Sequence, residues 1–475
     1  MPIDPGLRFS NRDLYAGLIR RADWRSKPPS IHMTEPARFR LRASGPGAIS
    51  WWLLALFVAT VIEGAFRKWL LPDSLQALAY GAKDVIALVF VLQYPLPGSA
   101  TTLRNIRLAV FVVGVLLIPA LFLGALNNPL AALSTYKNAV LWPLLAIHLA
   151  PRLRSEIVDG FLLPLTVATC CMALLGAAQY YSPGDSFLNR YAWRDFDAYV
   201  PVATFGELGG IRATGTFSYI AGMVMFAEFG FSFALWRSVG RISNRQRVFA
   251  AVTAAAAVCC ALESGSRAPV VVFAVLLAAA TVFTRRARVF LRIWAVLLVS
   301  GLAMLFVLGP EILESFVNRW QTAGDTTIGR ITGEDLKADP WQLIAADPVG
   351  LGLGRATGFG AKTTILSGSS LITFDDGGSS LVLESGLAGL IALWTISGSL
   401  IVVVFRGLTG PSYDLRCVSA LLGVVPTYWI WSGTWYNHTA TAFTWLSIAI
   451  WLSYLKPKSR CVSPARPNGE AVCLV

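Results

Sequence analysis

Charge is scarce in this 475-residue chain: 14% of its residues are charged, against about 25% in soluble domains. Histidine is scarcer still, with three residues, and lysine is rare beside arginine, 8 against 32. The seven cysteines offer no framework. Cys170, Cys171, Cys259 and Cys260 fall in apolar stretches, Cys417, Cys461 and Cys473 lie near one face, and no Cys-x-x-Cys occurs. That spacing excludes a disulfide scaffold and a thiolate metal site. The only phosphate-loop look-alike, GLGLG at 350–354, lacks the following Lys-Ser/Thr and a preceding strand, so it reads as a Gly-rich external bend. About 47 polar residues before the first apolar run are too many for a cleavable signal peptide, and the first span is expected to act as a signal anchor.

What the chain has instead is apolar length. It is 55% hydrophobic with a mean hydropathy of +0.58, and runs of 18 or so apolar residues follow one another as membrane helices do. The expected fold is all-α: a polytopic integral membrane protein of about twelve transmembrane helices. They are placed near 48–65, 75–95, 107–126, 131–149, 157–180, 216–236, 248–265, 268–284, 292–309, 379–405, 417–433 and 437–455. A basic N-terminal segment (1–47) precedes this single membrane domain (48–455), and a short tail (456–475) follows it. Leu14, Leu18 and Ile19 in the first segment are spaced for a helix lying on the inner leaflet; a disordered basic tail is the other reading.

Twelve spans put both termini on one side. Most Lys and Arg fall on that side, above all in the short loops WRSVGRISNRQR and TRRARVFLR, so the positive-inside rule makes both termini cytoplasmic. The net charge of +13 then orients the chain and meets anionic lipid, and is not a nucleic-acid footprint. Two long loops, 181–215 and 310–376, become external. Loops of that length between packed spans are functional or disordered. Trp193, Phe196, Trp320, Trp341 and Phe359 favour ordered lids, and PEILESFVNRW and GEDLKADPWQLIAA each have the pattern of a short amphipathic helix.

Ionisable residues in or beside hydrocarbon are functional candidates by default. Arg212 opens the sixth span from outside, and Arg267 sits in the tight external turn between spans seven and eight. Neither serves orientation, because both lie on the poorly charged face. Guanidinium forks fit phosphate oxygens, so the pair is a candidate site for the diphosphate of a polyprenyl-linked substrate. The competing reading pairs Arg267 with Glu263, four residues earlier, and lets Arg212 snorkel to lipid phosphates. Asp375 and Asp376 end the second long loop, and Glu384 follows inside the next span. These aspartates are candidate general bases or merely solvated carboxylates. His438 is the only external imidazole and is a candidate base or proton shuttle, or a structural histidine without a chemical role. In EGAFRKWLLP, Glu63 and Arg67 have the spacing of a helical ion pair, with Lys68 beside them. Lys83 and Asp84, adjacent inside span two, are read as neutralising helix neighbours.

Three stretches, in order and on one face, resemble the bacterial O-antigen ligase and O-antigen polymerase superfamily. RATGTFSYIAG resembles its Arg-x-x-Gly-Thr-Phe opening of a span, and SGSRAPVVVF its Ser-Arg turn. DPVGLGLGRATGFG followed by LVLESGLAGLIALW resembles its Pro-x-x-Gly-x-Gly loop and Glu-x-Gly-x-x-Gly span. EGAFRKWLLP is similar to an early stretch of exopolysaccharide members. The resemblance covers mainly residues 205–395. It implies a fold like the polyprenyl-dependent, GT-C-like membrane glycosyltransferases at the bacterial inner membrane. It also implies transfer of glycan from undecaprenyl diphosphate to a glycan or lipid acceptor, without metal or other cofactor. Polysaccharide assembly or chain-length proteins are the partners it suggests. Arg212 and Arg267 match the family's diphosphate-holding arginines, with Glu263, Glu384, Arg67 and Lys68 in support. The chain departs from the family at one place. The histidine nine residues before the Glu matching Glu384 is here Asp375, so the base would be Asp375, Asp376 or His438. Two other functions stay open: a flippase of lipid-linked glycans, and a non-catalytic assembly partner.

Overall fold

In hydrocarbon every backbone N–H and C=O must be satisfied within the protein, so long apolar runs bury themselves as helices. The computed structural model describes residues 46–96, 101–190, 203–205, 210–240, 242–284, 295, 310–318, 320–321, 340–355, 377–432, 435 and 437–455. All belong to the second of two units into which the chain divides, Ser44–Val475. The basic N-terminal segment, Asp375, Asp376 and the tail lie outside the described residues.

The helices are α1 (Pro46–Ala65), α2 (Asp73–Gln93), α3 (Thr101–Leu116), α4 (Ile118–Asn127), α5 (Pro129–Leu149), α6 (Ser155–Tyr181), α7 (Ile220–Val239) and α8 (Asn244–Glu263). After them come α9 (Ala268–Thr284), α10 (Pro340–Ala346), α11 (Gly377–Leu408), α12 (Tyr413–Leu422), α13 (Val424–Ser432) and α14 (His438–Tyr454). Among the described residues there is no strand, only one isolated bridge between Thr204 and Ile211. Helix stands at every expected stretch except that near 292–309, which falls almost wholly outside the described residues.

Six of the described helices are long and apolar enough to cross a membrane, or seven when α3 and α4, bent by 42°, count as one broken span. The difference from about twelve has local causes. α2 carries Lys83 and Asp84 at its middle. α9 and α14 have 17 residues each. The stretch near 417–433 is divided around Gly423 into α12 and α13.

α7 is the hub of the bundle. Phe226, Phe229, Phe231 and Phe233 are all buried on it, and 89% of its apolar window is enclosed, as a helix that is hydrophobic all round requires. It packs against α6, α8, α9, α12 and α14. Beside it α1, α2, α5 and α14 pack in succession. The expected amphipathic helix near 311 is present over 310–318. Its Ile312 and Phe316, one turn apart, join Tyr180, Phe205 and Leu262 in a small separate core.

GLGLG proves to be more than an external bend. α11 opens at Gly386 (φ 57°, ψ −139°), and the 348–353 segment enters the gap. Leu351 N and Gly352 N donate to Leu383 O (3.0 Å) and Glu384 O (2.9 Å), Leu387 N donates to Pro348 O (3.0 Å), and Leu353 N donates to Ala120 O in α4 (2.8 Å). Irregular backbone at span depth is thus enclosed by protein, the condition under which it is tolerated. Gly352 has φ 94°, and a Cβ there would meet the backbone N of Gly124 at 2.5 Å; only glycine fits both demands.

Candidate functional site

α1 does not end cleanly but widens into a π-helical turn, Phe66–Leu70, a distortion that recurs at functional sites. Gly64 lets this end of α1 press on the chain leading into α7, since a Cβ would clash with Thr216 O. The turn carries Arg67 and Lys68, both buried.

From there an ion network crosses four helices. Arg67 Nη1 donates to Glu63 Oε1 at 2.9 Å, the expected helical pair. The other Glu63 oxygen accepts from Lys83 of α2. Next to Lys83, Asp84 accepts from Lys137 of α5 and from Trp142 Nε1 at 3.0 Å. Lys83 and Asp84 therefore bond to other helices rather than to each other. Lys137 Nζ lies 3.2 Å from His438 Nδ1, and His438 Nε2 lies 2.8 Å from Ser134 Oγ. Tyr80 underlies the group, its ring centroid 4.6 Å from Arg67 Cζ, 5.4 Å from Lys83 Nζ, 5.5 Å from Lys137 Nζ and 4.0 Å from the His438 ring. Cations over an aromatic face are attracted by its quadrupole, more so where water is excluded.

His438 is placed by Asn437, whose side chain caps α14 by accepting from Thr439 N and Ala440 N, both at 3.0 Å. His438 is buried, 4% exposed. A lysine ammonium has only donors to offer. Facing Lys137, Nδ1 must accept, which leaves the ring hydrogen on Nε2, directed at Ser134.

Alongside the network lies the segment Arg212–Thr216. Lys68 Nζ donates to Thr214 Oγ1 (2.8 Å) and to Gly215 O (2.9 Å). From the other side Arg212 Nε donates to Ser264 O at 2.9 Å, in the turn that carries Arg267, and Ala213 N donates to Glu263 O at 2.9 Å. Arg212 and Arg267 are both half-buried. The two arginine segments, predicted only to share a membrane face, are hydrogen-bonded to each other.

The alternative pairing of Arg267 with Glu263 is not formed. Among the described residues neither carboxyl oxygen of Glu263 finds a hydrogen-bond partner, and the side chain packs against Gly176 of α6. Glu384 is fully buried just before the break in α11. The candidate bases Asp375 and Asp376 lie outside the described residues.

Reading the sequence missed Tyr80, Ser134, Lys137 and Gln179. A signal existed for the first three. Gln76, Tyr80, Lys83 and Asp84 fall on one face of α2 at helical spacing, and Ser134, Lys137 and Asn138 do so on α5. Polar stripes inside apolar runs mark faces turned towards protein. Gln179 has no such stripe, and its role depends on contacts distant in sequence.

No protein-family model matches the chain, and no curated protein matches it.

Proposed function

We propose that this protein polymerises or ligates polyprenyl-diphosphate-linked glycan at the outer face of a bacterial inner membrane. In this reading the chain crosses the bilayer about twelve times with both termini cytoplasmic. One observation carries it: Arg212 is tied both to the Arg267 turn and, through Thr214 and Gly215, to the Lys68 end of a buried basic network. Six cations from five segments (Arg67 and Lys68, Lys83, Lys137, Arg212 and Arg267) thereby gather at one end of the bundle, with Glu63 and Asp84 against them. Such an end suits a polyanion that arrives within the membrane, as a lipid-linked diphosphate does. The motif resemblance points to the same substrate.

In the proposed reaction an acceptor hydroxyl oxygen attacks the anomeric carbon. The bond from that carbon to the diphosphate oxygen breaks with inversion, and the hydroxyl proton passes to a base. Arg212 and Arg267 stabilise the charge that grows on the leaving diphosphate. His438 is poorly suited to be the base, because its accepting nitrogen is occupied by Lys137; Asp375 and Asp376 take that role in our reading.

The test uses purified protein in detergent micelles, with lipid-diphosphate glycan, acceptor and a chelator. Arg212→Ala and Arg267→Ala are each expected to lower transfer by about 100- to 1,000-fold, and Arg→Lys to fail as well because the fork is lost. Near-normal transfer by both alanine variants overturns the assignment.

A second reading is favoured by Lys83, Asp84 and His438, ionisable groups buried between helices as an ion-coupled carrier of lipid-linked glycan would hold them. Micelles have no two sides, so a carrier leaves the substrate intact there. In proteoliposomes the same protein would then move it between leaflets. A silent assembly partner would do neither.

A further inference from the structure

We infer that Gln179, near the end of α6, is the positioning residue that holds the Arg212 segment in the conformation which presents its guanidinium. The inference rests on the diphosphate-binding reading given above for its consequence, but not for its geometry. Gln179 is fully buried, and its side-chain amide is used at both ends. Oε1 accepts from Thr214 N (3.0 Å) and Gly215 N (2.8 Å). Nε2 donates to Gly215 O (3.0 Å) and to Leu188 O (2.8 Å). The side chain thus takes the place of a neighbouring peptide group for two consecutive residues.

The segment needs such a partner. Gly215 has φ 57°, so the chain reverses there and its amides are offered to no regular element. Met172 and Met223 press on the same glycine from α6 and α7. Lys68 grips Thr214 and Gly215 from the side of α1. With Arg212 N donating to Ala203 O and Ala213 N to Glu263 O, both at 2.9 Å, every backbone N–H from Arg212 to Gly215 is spent inside the protein. A polyanion arriving here meets side chains, not a backbone nest, and the aim of Arg212 depends on the clamp beneath it.

Gln179 also reaches outward. Leu188 O, which it holds, belongs to the turn after α6. That turn is fixed in addition by Asn189 Nδ2, which donates to Gln179 O (3.0 Å), Ser182 O (3.1 Å) and Pro183 O (2.9 Å). One amide therefore links the start of the first long loop to the arginine segment.

The substitution Gln179→Glu is diagnostic because it tests both ends of the amide at once. One carboxylate oxygen can still accept from the two N–H groups, but the other would face the carbonyls of Gly215 and Leu188. It satisfies them only when protonated, as a hydroxyl donor. The variant is therefore expected to hold the segment better at low pH than at high pH, with Lys68 Nζ, which shares Gly215 O, favouring the ionised form and Glu263, packed one turn away at Gly176, opposing it. The wild type shows no such step.

The experiment is amide hydrogen exchange on the full chain in micelles, followed in the peptide 211–218, with polyprenyl diphosphate capture measured on the same samples. In Gln179→Ala, Thr214 and Gly215 are expected to exchange at least about tenfold faster, with α6 and α8 unchanged. Capture should weaken by a similar factor. In Gln179→Glu the same two effects should be larger at high pH than at low pH, which supplies the test even if the alanine variant does not accumulate. Unchanged protection of 211–218 in both variants overturns the inference, as does a loss spread equally over α6 and α8. If protection changes as expected but the wild type captures no polyprenyl diphosphate, the clamp stands and the proposed function falls.

Discussion

The two ends of the helical bundle both carry charge, and they handle it in opposite ways. At the end that holds Arg212, charged side chains are enclosed and bond across helices: Glu63 to Lys83, Asp84 to Lys137, with Lys68 on the Thr214 segment. At the other end at least one partner of each contact stays near water, although the pair of the buried Arg237 with Asp159 also joins two helices. Arg237 Nη2 meets Asp159 Oδ1 at 2.6 Å, but the Asp159 side chain is 34% exposed. Arg152 Nη1 donates to His148 O, at the finish of α5, and Arg247 Nη1 donates to Asn244 Oδ1 within the first turn of α8. A charge that keeps its water needs no special reason to be there. One held away from water is kept against a desolvation cost of several kcal/mol, by effective estimates, and so asks for a function.

The sharpest way to break this comparison is to remove one ion from each end. Lys83→Ala leaves Glu63 buried with Arg67 alone, and breaking a buried pair costs about 3–5 kcal/mol. Arg237→Ala removes a buried guanidinium but leaves Asp159, whose side chain is 34% exposed, to water, so it should cost less than Lys83→Ala, about 1–2 kcal/mol. Thermal midpoints in one detergent compare the two directly. Similar losses would mean that burial is not what separates the ends. The double variant Glu63→Gln, Lys83→Met sharpens the point, because it leaves the buried Arg67 without its carboxylate and should regain none of the loss.

The same contrast explains what could be read in the sequence. Helices were legible because a run of apolar residues long enough to cross lipid has one stable form. The pair of Glu63 with Arg67 was legible because it lies within one helix. The partners of Lys83, Asp84 and His438 were not, since each lies on a different helix and helix order around a bundle is not written in hydropathy. Six or seven of the expected spans are long and apolar enough by themselves, and others stand where apolar stretches are short or divided, as α9, α12, α13 and α14 are. The Gly350–Gly354 segment was misread for a related reason: its glycines signal a bend, but not that the bend packs on α4 and fits into the break of α11.

Between the extremes stands Gly352→Ala. The residue's φ of 94° and its contact with the Gly124 backbone both oppose a side chain, and we expect about 2–3 kcal/mol of destabilisation from strain and overpacking together. Because the segment closes the gap at Gly386, amides near Leu351 and Leu387 should lose protection first. Protection lost instead from α7 outward would show that the segment does not serve as the plug of α11.

The smallest effect is expected of Arg247→Ala. Its guanidinium lies in the first turn of α8, where the helix dipole opposes a positive charge, and its one described bond is a local contact with Asn244 at 2.7 Å. Losing that bond and losing the unfavourable dipole contact act in opposite senses, and alanine is the better helix former. The net change should stay within about 0.5 kcal/mol, the range of ordinary surface substitutions, and glycan transfer should not move. Chain orientation should hold too, because the loop before α8 keeps other arginines and orientation depends on the sum of such charges rather than on one of them. A loss of stability or transfer on the scale of Lys83→Ala would place a functional charge at this end as well, and the asymmetry between the ends would no longer mark the site.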